Sequence, residues 1–152
     1  MKGYQNILCA TDFSDHCRAA AERAVEMARR YGAKLTLLHV VEYFPEDRSN
    51  EIIAPEDREP AAYQKQQAYI SLASLAHDLG YDDAGREVTF TTGSARHGIV
   101  SFAEEQSIDL IVIATHGSHG ITNILGATAY GVMHRASCDV LAVRAKRAQE
   151  HR

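Results

Sequence analysis

The chain is short of several things, and each shortage narrows what it can be. Cysteine is scarce. There are three in 152 residues, Cys9, Cys17 and Cys138, an odd number with no CxxC spacing. That pattern suits buried thiols in a reducing cytosol. The three prolines, Pro45, Pro55 and Pro60, all fall in the stretch 42–62, which also holds seven acidic residues and is expected to be a long surface loop. No run approaches the roughly 18 apolar residues of a membrane span. The N-terminus has no long apolar segment and no small-residue cleavage site, so it does not read as a secretory signal. Cytoplasmic localisation is the expectation. Positive charge is not in excess: 16 Lys+Arg against 20 Asp+Glu give a net charge of −4. That argues against a protein that coats nucleic acid. A Walker A Gly-Lys-Ser/Thr is absent, as are a GxGxxG after the first apolar run and a Gly-x-Ser-x-Gly elbow.

What is present is ordinary globular composition, 45% hydrophobic and 24% charged, over a length that fits about one domain. We place that domain at residues 1–145, followed by a charged tail at 146–152. Asn6 to Ala10 reads as a buried strand, closed by Thr11-Asp12-Phe13-Ser14, where Asp12 or Ser14 can accept from the first N–H groups of a helix. The helix spans 15–31, with Cys17, Ala21, Ala24, Ala28 and Tyr31 on one apolar stripe and Gly32 as its stop. Lys34 to Val41 is a near-continuous apolar run, the mark of a strand covered on both faces. A second helix over 61–79 offers Ile70, Leu72, Leu75 and Leu79 to the core, and Gly80 ends it. Glu87 to Thr92 alternates and reads as a strand nearer an edge. A helix over 95–106, a strongly apolar strand over 109–115, a helix over 127–136 and a strand over 140–143 complete the chain.

This alternation predicts an α/β domain: one open, five-stranded, mostly parallel sheet with helices on both faces. Ligands of such sheets sit outside the carboxyl ends of the strands, where the strand order reverses. Two segments are placed there. One holds Thr11 and Asp12, whose carboxylate can take a ribose hydroxyl or an adenine amine. The other is Thr115-His116-Gly117-Ser118-His119-Gly120. Its glycines let backbone approach a phosphate, and the helix opening at Gly126-Ala127-Thr128 adds free N–H groups. His116 and His119 flank this loop and can contact phosphate. As a bare pair they lack the further ligands a zinc site needs, so no metal site is assigned. His39 reads as a satisfied core histidine, and His97 and His134 as helix surface. No spacing singles out an acid–base pair, so no catalytic residue is assigned.

Ile7-Leu8-Cys9-Ala10-Thr11-Asp12-Phe13-Ser14, Leu37-Leu38-His39-Val40, Gly117-Ser118-His119-Gly120 and Val140-Leu141-Ala142-Val143-Arg144 together resemble the universal stress protein family over essentially the whole chain. The resemblance implies the Rossmann-like fold of that family with strand order 3-2-1-4-5. It also implies a cytoplasmic stress-response protein that binds an adenine nucleotide (ATP, ADP or AMP, with Mg accompanying it) and acts as a sensor or regulator. By the same resemblance Ala10, Thr11, Asp12 and Val40 or Val41 hold the adenosine, while Gly117, Gly120, Gly126 and Thr128 face the phosphates, with His119 beside them by its place in the loop. Family members dimerise through the last strand, which here is Val140, Leu141, Ala142 and Val143. The chain departs from the nucleotide-binding pattern Gly-x2-Gly-x9-Gly-Ser/Thr in two places: five residues separate Gly120 from Gly126, and Ala127 follows Gly126. AMP or ADP is therefore expected to hold better than ATP. Two alternatives accompany this reading, a non-binding family member that works through an unknown regulatory protein partner, and a weak ATPase.

Overall fold

The computed structural model describes residues 3–42, 59–116 and 125–145. Nine elements alternate along it: β1 (Asn6–Ala10), α1 (Asp15–Tyr31), β2 (Lys34–Glu42), α2 (Pro60–Asp78), β3 (Gly85–Thr91), α3 (Ala95–Glu105), β4 (Leu110–Ala114), α4 (Ala127–Arg135) and β5 (Asp139–Val143). The strands form one sheet in the order β3-β2-β1-β4-β5, and every pairing is parallel. The sheet is thus wholly parallel, with the expected order.

Strand alternation sorts the core into two layers. Ile7, Cys9, Leu35, Leu37 and Val112 pack with Ala21, Ala24, Val25 and Leu72 of α1 and α2. Leu8, Leu38, Ile111 and Ile113 pack with Ile99, Phe102 and Val132 of α3 and α4. All five residues of β4 are buried, because it lies inside the sheet with cover on both faces. Burial of each such Leu or Ile stabilises by about 1.5–3 kcal/mol.

Local chemistry sets the element ends. Ser14 caps α1, its Oγ accepting from the Cys17 N–H at 3.3 Å, and Gly32 closes it at φ 62°. Asp109, one residue before β4, accepts from the Gln5 N–H at 2.8 Å and the Asn6 N–H at 3.0 Å. One carboxylate thereby fixes the entry of β1 beside β4.

Four expectations are revised. Glu42 ends β2 and Pro60 begins α2, so the connection is shorter than 42–62; proline suits a first helical position, where its missing N–H is not needed. Ile70 is 55% exposed. The face α2 buries is Ala68, Leu72 and Leu75, and Ile70 lies about 200° round from Ala68. Tyr31 is 45% exposed at the end of its stripe, its ring edge-on to Tyr4 at 5.2 Å. Val40 and Val41 belong to opposite layers: Val41 lies in the layer under α1 and α2, and Val40 packs in the layer under α3 and α4. Residues 43–58 of the loop expected at 42–62, the glycine loop at 117–120 and the tail at 146–152 lie outside the described residues. Among the described residues no helix is long and apolar enough to cross a membrane.

Candidate functional site

Strand order reverses between β1 and β4, and a cavity of about 550 Å³ opens outside their carboxyl ends. Pockets of about 300–1,000 Å³ suit small ligands and cofactors. Its floor is apolar, from Ala10, Val40, Ile99, Ile113 and Ala114. Its rim is polar, from Thr11, Asp12, Glu42, Thr115, His116 and Thr128.

The rim is built by tight local turns. Thr11 is held to β2 by its N–H, which donates to the Leu38 carbonyl at 2.9 Å. The Phe13 N–H donates to Thr11 Oγ1 at 3.0 Å and the Ser14 N–H to Asp12 Oδ1 at 2.9 Å. Between them Phe13 takes φ 67°, a left-handed conformation that these side-chain bonds impose on a non-glycine residue. The turn leaves the Asp12 side chain exposed at the cavity mouth. Below it, the His39 Nδ1–H donates to the Thr11 carbonyl at 2.8 Å, and the His39 ring meets that of Phe13 at 4.7 Å. His39 is the satisfied histidine the sequence suggested, and it braces the turn from behind.

On the opposite side the Gly126 N–H donates to the Thr115 carbonyl at 2.8 Å. A Cβ on Gly126 would stand 3.2 Å from that carbonyl oxygen, so glycine permits the close approach of α4 to the end of β4. Among the described residues no side chain caps α4. Its first residues, Ala127 to Ala129, line the cavity and bring the positive end of the helix dipole to it. Thr115 Oγ1 and His116 Nδ1 are 2.9 Å apart, and the rings of His116 and His16 lie 6.1 Å apart.

The electrostatics are one-sided. The described lining carries two carboxylates, Asp12 and Glu42, and no lysine or arginine. Glu42 is partly committed, because its Oε1 accepts the Ala95 N–H at 3.0 Å and so caps α3. Cys17 also lines the cavity; burial, and then its hydrogen bond with Asp12, push its thiol up to about 11. Among the described residues no cluster of His, Cys, Asp and Glu could hold a metal ion.

Of the residues singled out in the sequence, Ala10, Thr11, Asp12, Val40, Gly126 and Thr128 converge on this one cavity. Val41 does not, for it lies across the sheet. Gly117, His119 and Gly120 lie outside the described residues. Sequence reasoning left out Glu42, Ala95, Ile99 and Ile113. Ile113 belongs to a strand legible as apolar, but only helix–sheet packing shows that it and Ile99 border a cavity.

The architecture is that of a doubly wound α/β protein with its crevice at the topological switch point. The comparisons name the family. The model of the universal stress protein family matches residues 3–144. Universal stress protein A homolog 1 of Coxiella burnetii is 35% identical over 140 residues, 92% of this chain and 96% of that protein. The structure of universal stress protein UspA from Lactobacillus plantarum superposes with a TM-score of 0.71 at 25% identity, covering 93% of this chain and 99% of that one. A universal stress protein in complex with cAMP gives a TM-score of 0.63 at 26% identity, covering 93% and 97% of the two chains. The chain belongs to the universal stress protein family.

Proposed function

We propose that this chain is a cytoplasmic regulatory protein that binds an adenine nucleotide in the crevice between β1 and β4 and works by binding, not by rapid turnover. The observation that carries the reading is the convergence of Asp12 and the uncapped start of α4 on the two sides of one apolar-floored cavity. Adenine is assigned to the floor by Val40, Ile99 and Ile113. The ribose is assigned to Asp12, and phosphate to the helix start at Gly126 and Thr128. The relative crystallised with cAMP supports an adenine ligand.

The charge of the rim ranks the ligands. Among the described residues of the lining, two carboxylates and no lysine or arginine disfavour a bare triphosphate. The stretch from Thr115 to Ala129, which includes the glycine loop, also contains no lysine or arginine. AMP and cyclic AMP therefore bind better than metal-free ATP, and Mg narrows the gap by neutralising the phosphates.

We also propose a homodimer through β5. That strand is the sheet edge, and Val140, Leu141, Ala142 and Val143 are each only half-buried in the single chain. An apolar edge of this kind needs cover, and a second copy supplies it with two-fold symmetry.

The test is to denature purified protein, identify any released nucleotide by chromatography, and titrate ligand-free protein with ATP, ADP, AMP and cyclic AMP by calorimetry, with and without Mg. Micromolar binding, about −8 kcal/mol, is the expected outcome. Asp12→Ala weakens it about tenfold or more, the loss of a charge-assisted hydrogen bond. Unchanged affinity in a folded Asp12→Ala protein would overturn the ribose assignment. No released nucleotide and no heat with any ligand would favour the other branch of the family, in which the chain acts through a protein partner; the five-residue spacing after Gly120 is what points that way.

A further inference from the structure

A second cavity, of about 760 Å³, runs along α3 on the side away from the nucleotide crevice, between the end of β3 and the end of α4. Its lining is rich in hydroxyls and carries two arginines, Arg96 from α3 and Arg135 from α4, with Glu105 as its carboxylate.

The two arginines are placed together by a glycine. A Cβ on Gly131 would stand 2.1 Å from Arg96 Cδ, so the stem of Arg96 crosses α4 where α4 has no side chain. Arg135 is one turn further along the same face of α4, four residues from Gly131. The fold thus gathers two like charges on one patch.

Of the six other described arginines, five are compensated and the exposed Arg144 is not. Arg18, Arg23 and Arg30 pair with carboxylates, and Arg29 and Arg86 donate to backbone carbonyls. Among the described residues Arg96 and Arg135 have neither kind of partner, Glu105 included. Two uncompensated guanidiniums lining one cavity repel. A doubly charged oxyanion relieves that repulsion.

We infer that this groove binds a phosphate group, held by the guanidiniums of Arg96 and Arg135 with hydroxyl donors of the β3 and α3 side beside them. Phosphate is the matching chemistry because it carries close to two charges and three acceptor oxygens, which suit planar guanidinium forks. The inference is independent of the nucleotide crevice, which lies across α3.

The experiment titrates the full chain with inorganic phosphate and follows backbone amides by NMR, with a simple phosphomonoester run alongside. Saturable shifts at Gly93–Gly98 and Gly131, with Gly126 little moved, are expected. Arg96→Gln and Arg135→Gln each weaken the binding about tenfold. Gly131→Ala, which displaces the Arg96 stem without removing any polar group, weakens it similarly. Tighter binding of the ester assigns the groove to a phosphorylated small molecule, and equal binding assigns it to the free ion. Absence of saturable shifts at these amides, shifts confined to the crevice, or binding unchanged in both arginine variants with a native spectrum would overturn the inference.

Discussion

Gly98 sits on α3 directly over Val40, and alanine there is a sharp test of how the crevice wall is packed. An added Cβ would stand 2.7 Å from Val40 Cγ1 and 3.4 Å from Cγ2. Valine is stiff about χ1, so it cannot swing aside without leaving its rotamer. Overpacking of this kind costs about 1–3 kcal/mol. Against it stands the helix preference for alanine over glycine, about 0.5–1 kcal/mol. The balance is a destabilisation of about 1–2 kcal/mol, or roughly 3–6 °C in Tm for a chain of this size. Urea denaturation of Gly98→Ala, Val40→Ala and the double variant measures it. Truncating Val40 leaves a space that the methyl introduced by Gly98→Ala fills, so the double variant is more stable than the sum of the singles predicts, by about 1 kcal/mol. Because Val40 also lines the crevice, the proposed nucleotide binding predicts that the single Gly98→Ala variant loses affinity as well. A stabilised Gly98→Ala protein, or strictly additive costs, would refute the packing argument.

Two further predictions concern stability. Asp109→Ala removes the acceptor of two backbone N–H groups at the start of β1, and a loss of about 2 kcal/mol is expected by chemical denaturation, with Asp109→Asn intermediate. The thiol of Cys17 is raised from the ordinary value near 9 to about 11. A group with a raised folded-state pKa contributes stability that is complete below its unfolded value. Here that stability is lost as pH rises from about 9 to about 11, to a total of about 2–3 kcal/mol. The urea midpoint of Cys17→Ala should fall less steeply across that window than that of the unsubstituted chain, and parallel curves would contradict the burial argument.

The fold was legible because periodicity is a local property of sequence. The segments 7–10 and Leu110–Ala114 are unbroken apolar runs, and Ser14 and Gly32 mark the ends of α1 by side-chain capping and left-handed backbone, both written in single residues. The alternation of strands and helices then fixed a parallel sheet, because parallel neighbours require crossovers. Asp12, Gly126 and Thr128 were legible as candidates for the cavity lining because they follow strand ends, where ligands of such sheets lie. Family resemblance supplied the pairing of those segments and the strand order.

Tertiary structure decided which face each residue serves. Val40 and Val41 are adjacent and equally apolar, and only the register of β2 against its neighbours sends Val40 to the crevice and Val41 to the opposite layer. Ile70 has the composition of a core residue, yet the buried face of α2 is chosen by what the sheet offers it. Glu42 reads as a loop acid and becomes the cap of α3, through a bond between residues 53 apart in sequence. The meeting of Arg96 with Gly131 has no sequence signal at all, since it depends on the distance between two helices. Local pattern fixes which elements form, because it acts through backbone propensity and burial period. Contacts between distant elements fix where a side chain ends up, because packing is a property of the assembled layers.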